Sequence, residues 1–346
     1  MKTLRFEIRI RSAFAALAAV AALFAAASCE KEIEFKGDET TPRLVLYSLS
    51  TPGQKLSADV SSSVFFLKPN YDNKLFTSTL DTLKGGLKVY VNGSATPYVM
   101  RYTPLEDDYY SSFWQAPTLH YEADYIPSEG DRIRIVAEFP GFETAEGETT
   151  VPVAGGFSIV SSRKNLSEDN WVSFDITARV TDRGAEPEYY CVAPARWCSF
   201  DGGETYELDY TYAISSQDPL FMGTTSDLMS ILGEEGTSSY FSDVLFSGGS
   251  YEFKFSFEPG DETTPGYGNY YNEDYPGDDP APDVRYRYDV SLVTLTESLY
   301  NHVLSMRSVS ASTYGFFGES ATLFSNVKGG YGCVCSSVSL SLPLDN

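Results

Sequence analysis

The strongest constraint on the fold of this chain is the way its apolar residues alternate with a period of two. Ile133, Ile135, Ala137 and Phe139 alternate with Arg132, Arg134, Val136 and Glu138. Val172, Phe174, Ile176, Ala178 and Val180 repeat the pattern, as do Tyr251, Phe253, Phe255 and Phe257 around Glu252, Lys254 and Ser256. Val284, Tyr286, Tyr288 and Val290 add one more run. Successive side chains of a strand point to opposite faces, so each run buries one face and wets the other. That one-sidedness suits antiparallel sheets over a core rather than parallel sheets covered on both sides.

Turn and helix signals separate these runs. Leu87-Lys88-Val89-Tyr90-Val91 leads into Asn92-Gly93, a pair suited to the positive φ of a tight primed hairpin turn. One helix is expected over 296–307, with Thr296 as its cap and Leu299, Tyr300, Val303 and Leu304 on one face. Many short strands with one helix predict an all-β protein: two β-sandwich (Ig-like) domains in tandem, with one short helix near the C-terminus. Val151-Pro152-Val153-Ala154-Gly155-Gly156 interrupts the strand pattern. An N-terminal sandwich is therefore expected over 43–154 and a C-terminal β-rich domain over 155–346, with no internal repeat of fixed period.

The N-terminus carries a different pattern. Lys2, Arg5, Arg9 and Arg11 stand against one acid, Glu7, and precede an uncharged run from Ala13 to Ala27. A positive segment before an apolar one reads as a secretory signal peptide over 1–28. The apolar run is shorter than the roughly 20 residues of a membrane-spanning helix. It ends Ala25-Ala26-Ala27-Ser28-Cys29, which resembles the lipobox of bacterial lipoproteins, although that motif prefers Leu where Ala26 stands. Ordinary cleavage after Ala27 is the alternative. The five cysteines favour lipidation of Cys29, because it removes the odd thiol and leaves four that can pair. A multiply acylated cysteine is a stable anchor where a single chain is marginal. Residues 29–42, rich in acids with Gly37, Thr40, Thr41 and Pro42, then read as a lipidated flexible tether. Glu30-Lys31-Glu32-Ile33-Glu34 resembles the acidic signal that sends Bacteroidota lipoproteins to the cell surface. A periplasm-facing anchor is the alternative.

Charge excludes one class of partner. The chain has 25 Lys and Arg against 48 Asp and Glu, a net charge of −23. Removing residues 1–28 takes four basic residues and one acid and leaves −26. A nucleic-acid binder needs clustered cations, and anionic lipid headgroups repel such a body, so the lipid is the expected membrane attachment. At 14% aromatic, the chain is too rich in Tyr, Phe and Trp for wholesale disorder.

Several stretches together resemble an uncharacterised family of Bacteroidota lipoproteins, the domain of unknown function numbered 4249. They are Cys29 with its acidic follow-on, Arg43 to Leu49, Phe241-Ser242-Asp243-Val244-Leu245-Phe246-Ser247-Gly248-Gly249, Tyr288 to Met306, and Ser325-Asn326-Val327-Lys328-Gly329-Gly330-Tyr331-Gly332. The chain departs from the family's pattern at Cys333-Val334-Cys335. The resemblance implies an outer-membrane lipoprotein, often encoded beside a TonB-dependent receptor, and carries over no catalytic residue.

Candidate chemistry is sparse. His120 and His302 are far apart in sequence, and a solvated or core-edge role is expected of His302. There is no nucleophile elbow, H-E-x-x-H or P-loop, so no catalytic residue and no cofactor are assigned. Gly329-Gly330-Tyr331-Gly332 is expected to mark a bulge or a close backbone approach. Cys191, Cys198, Cys333 and Cys335 are candidates for two disulfides, with a bridge from the first pair to the last strand as an attractive pairing. Free buried thiols are the alternative, and a four-thiolate metal site has poor spacing. The segment 260–283 holds Asp261, Glu262, Glu273, Asp274, Asp278, Asp279 and Asp283 with Tyr267, Tyr270, Tyr271 and Tyr275. It reads as a solvated loop, a recognition surface or a calcium site in which Asp274, Asp278 and Asp279 are weak ligand candidates.

A non-enzymatic accessory lipoprotein of a TonB-dependent receptor, aiding nutrient capture or uptake, is the leading functional expectation. A surface glycan-binding sandwich is the second; it requires Trp114, Trp171 or Trp197 to be exposed, while Tyr109, Tyr110, Phe113 and Trp114 more often fill a core. A hydrolase is the third, needing a pocket that unites His120 or His302 with a hydroxyl or carboxylate.

Overall fold

In the computed structural model, residues 41–63, 80–104, 118–168, 171–184, 186–222, 239–261, 284–314 and 323–344 are described. In chain order the strands are β1 (Leu44–Ser50), β2 (Ser57–Ser62), β3 (Gly86–Val91), β4 (Tyr98–Val99), β5 (Arg101–Tyr102), β6 (Leu119–Glu122), β7 (Arg132–Glu138) and β8 (Ala145–Thr150). They continue with β9 (Gly156–Leu166), β10 (Trp171–Thr181), β11 (Tyr189–Ser199), β12 (Glu207–Thr211), β13 (Tyr240–Ser242), β14 (Ser250–Asp261), β15 (Arg285–Leu295) and β16 (Tyr331–Pro343). Among the described residues two α-helices join them, the short α1 (Pro219–Met222) and α2 (Glu297–Tyr314). The protein is all-β with a helix near its C-terminus.

Among the described residues, a long sheet runs in the order β12-β11-β15-β16-β1-β2-β6-β5, with β13 also paired to β11. Two smaller sheets, β4-β3-β7-β8 and β14-β10-β9, pack against it. The first core joins Leu44, Leu46 and Val60 of the long sheet to Leu87, Val89, Ile133 and Ile135 of the four-stranded one. The second joins Tyr190, Val192, Tyr288 and Val290 to Phe174, Ile176, Phe253 and Phe257 of the three-stranded one. Alternation read from the sequence therefore puts the named apolar residues inside. Each fully buried Leu, Ile or Phe contributes about 1.5–3 kcal/mol.

The expected boundary near residue 154 falls between these two cores, yet β16 serves both. Its first half pairs with β1 from Val45↔Tyr331 to Ser50↔Ser336, and its second half with β15 from Leu295↔Ser337 to Asp289↔Pro343. The β1–β16 pair is parallel, whereas every other described strand pair is antiparallel. All the strands belong to one compact unit, Pro42–Val64 with Asn70–Asn346.

Local details refine two expectations. Asn92 and Gly93 do adopt positive φ, 53° and 74°, and Ser94 N–H closes the turn on the Val91 carbonyl at 2.9 Å. The returning strand is nevertheless short, because Val89 already faces Tyr98, while the Asn92 side chain donates to Asp131 and accepts from Arg132 N–H. The helix extends seven residues beyond the expected end at 307. Thr296 sits at its start, but its hydroxyl donates to the Ser336 carbonyl at 3.2 Å and accepts from Ser336 N–H at 3.2 Å. It thus ties the helix to β16, and Tyr300, Leu299 and Leu304 pack with Cys191 and Leu295 beneath.

Candidate functional site

The outward face of the three-stranded sheet carries the most developed surface site. β10 alternates strictly: Val172, Phe174, Ile176 and Ala178 are buried, which sends Trp171, Ser173, Asp175 and Thr177 outward. Cross-strand pairing sets Asp175 between Arg163 of β9 and Ser256 of β14, and Thr177 between Ser161 and Lys254. A distant segment forms the wall. Ser215 exchanges two backbone hydrogen bonds with Ser256, both 2.8 Å, and the Ser216 hydroxyl donates to the Lys254 carbonyl. Between wall and sheet lies an open groove of about 580 Å³, lined by hydroxyls together with Arg163, Asp175, Gln217 and Lys254, with Ile176 and Phe255 also contributing.

Its charges are fixed. Arg163 donates to Asp175 Oδ2 at 2.6 Å and Asn165 to the same oxygen at 3.0 Å. These bonds, Arg163's first, hold the Asp175 carboxyl below the usual carboxylate range. At the end of the same face Trp171 is 51% exposed. Its ring lies over Gly260, whose missing Cβ would sit 3.6 Å from the indole. Two hydrogen bonds with Ser167 at 3.0 Å fix its backbone.

Of the other tryptophans, Trp197 is half-buried beneath the Arg287 guanidinium, 5.4 Å from the ring centre. Trp114 lies outside the described residues, as do Tyr109, Tyr110 and Phe113, and the acidic segment beyond Asp261 with Asp274, Asp278 and Asp279.

The histidines meet the long sheet's outer face at separate points. His120 Nδ1 is 2.7 Å from Asp59 Oδ1, and its Nε2 is 3.9 Å from Glu122 Oε1. Both ring nitrogens thus face carboxylates, an arrangement unlike a base aimed at a nucleophile. His302 on α2 is buried, with Nδ1 2.9 Å from the Phe324 carbonyl and its ring 5.5 Å from Tyr47, the core-edge role expected of it.

Cys191, Cys198, Cys333 and Cys335 are free and buried, which corrects the first expectation of two disulfides. β15 separates β11 from β16. Two strand spacings, about 9.6 Å, exceed the roughly 6.8 Å between Cα atoms that a bridge tolerates. Cys191 and Cys198, seven apart on one strand, point to opposite faces. Burial pushes the Cys191 thiol up. The hydrogen bond with Cys333, and burial, push Cys335 up too. Among the described residues no three His, Cys, Asp or Glu gather to hold a metal.

The sequence singled out Trp171 but missed the groove beside it. Its lining comes from three strands and a segment more than thirty residues beyond β10, and serines carry no pattern of their own.

Sheet packing thus defines the class, an all-β protein of two cores built on one long sheet. The chain belongs to the family described as domain of unknown function (DUF4249), whose model matches residues 30–341. No curated protein is matched by the chain.

Proposed function

We propose that this protein is a non-enzymatic, lipid-anchored outer-membrane lipoprotein that serves as an accessory to a TonB-dependent receptor in nutrient capture. The observation that carries the reading is the segment Ala25-Ala26-Ala27-Ser28-Cys29 at the end of the apolar run. The thirteen residues from Glu30 to Pro42 then reach at most about 45 Å before β1 begins at Leu44. A lipid on Cys29 would therefore hold the sheets close to the bilayer, where a transporter's outer surface is within reach. No described helix is long and apolar enough to cross a membrane.

Membrane fractionation tests the anchor. A Cys29→Ala variant is expected to leave the membrane fraction for the soluble one, and the parent's mature N-terminus to carry acyl mass. A variant that stays with the membrane sinks the reading. Copurification in mild detergent tests the partner, and a preparation free of any TonB-dependent receptor counts against it.

The exposed Trp171 favours a second reading, surface glycan binding, because a fixed indole can stack on the apolar face of a pyranose ring.

A further inference from the structure

The geometry points to a site for a neutral oligosaccharide along the outward face of β9, β10 and β14, running from Trp171 into the hydroxyl-lined groove. It rests on the capture role proposed above and supplies that role with a ligand class and a place. Three features of the face are matched to such a chain. The first is a stacking platform at one end, since Trp171 is half exposed, lies against Gly260 and is fixed through Ser167. An exposed aromatic face is a stacking platform for flat ligand faces, and a sugar's C–H face offers area similar to a base.

The second feature is length. Trp171, Ser173, Asp175 and Thr177 project from the same side of β10, so platform and far row are separated by six residues, about 20 Å. That span takes several linked rings.

Polarity is the third. Ser161, Ser162, Thr177, Ser215 and Ser256 line the groove. Arg163 and Asp175 stand side by side, one donating and one accepting, with Lys254 across the sheet. Vicinal hydroxyls can bridge such a pair, giving and taking a hydrogen bond at once. Neutrality follows from charge. Arg163 is already matched by Asp175 at 2.6 Å and Arg179, two residues beyond Thr177, by Glu252 at 3.0 Å. One lysine is set against a chain of net charge −23, which disfavours a polyanion.

Affinity electrophoresis of the full chain in mild detergent is the direct test. The gels hold neutral polysaccharides (a glucan, a mannan, a xylan, a galactan) or uronate polymers (polygalacturonate, alginate). At least one neutral polymer is expected to retard the protein. Trp171→Ala should abolish retardation, and Asp175→Asn should weaken affinity by about tenfold, the loss of one charge-assisted hydrogen bond. Asp59→Asn, on the other sheet, should leave it unchanged, and circular dichroism would show that each variant folds. Retardation by uronates alone, by no polymer, or undiminished by Trp171→Ala overturns the inference. None of these outcomes bears on the Cys29 anchor, so the two readings fail separately.

Discussion

At the scale of single residues, burial decides which polar groups matter. Arg196 and Asp209 form an ion pair at 2.5 Å with only 5% and 4% of their side chains exposed, and the Tyr286 ring lies 4.8 Å from the guanidinium. Removing one partner strands the other's charge. Asp209→Asn is expected to lower stability by about 3–5 kcal/mol in denaturant unfolding, with Asp209→Leu/Arg196→Met recovering much of it. A loss under about 1 kcal/mol would mean that water reaches the pair. Partly buried phenols make a second case. Burial raises Tyr212 to about 12, and burial with a hydrogen bond to Asp131 does the same for Tyr125. The fold favours the neutral phenol in both. Their contribution is intact below pH 10, the unfolded value, and is lost as pH rises through about 12. Tyrosinate absorbance should therefore lag behind that of the denatured chain between these values, accompanied by falling stability. A single titration step near 10 in the folded protein would contradict it.

Among elements, the parallel β1–β16 pair depends on glycine. A Cβ at Gly332 would lie 2.1 Å from the Leu46 carbonyl oxygen, and one at Gly330 2.5 Å from that of Leu44. Gly332 also has φ +109°. Gly332→Ala is expected to cost about 3 kcal/mol or more, against about 1 kcal/mol for Gly93→Ala, where φ is +74° but nothing lies within 4 Å. Equal melting temperatures for the two would disprove the close approach. The glycine run was legible as such in the sequence, because no other residue lets two backbones meet so closely. Likewise legible were the inward faces of β7, β10 and β14, since period two and side-chain direction are the same fact. Neither the parallel pairing nor the absence of a bridge between β11 and β16 could be read. Both depend on which strand lies beside β16, and alternation is silent about neighbours. Thr296 illustrates a subtler limit: a hydroxyl at a helix start reads as a cap, and tertiary contact with Ser336 claimed it instead.

For the whole molecule, the shared strand links the two cores. Residues 43–154 alone would lack β16, leaving β1 with one neighbour and Leu44 and Leu46 beside an open edge. That fragment is expected to be unfolded or aggregated by circular dichroism and size exclusion, while the chain from 29 to the end unfolds in a single calorimetric transition. Two separate transitions, or a folded fragment, would show the cores to be independent. The groove belongs to the same scale, since Ser215 and Asp175 meet only when the second core has closed.

The position of that strand also sets a timetable for biogenesis. β16 is the last long strand to leave the ribosome, and β1, its parallel mate, is the first. An emerging polypeptide can thus pair β1 with β2 early, but the opposite edge of β1 has nothing to zip against until β16 is made. A copy truncated before Tyr331 would keep that edge open beside the first core and could not mature.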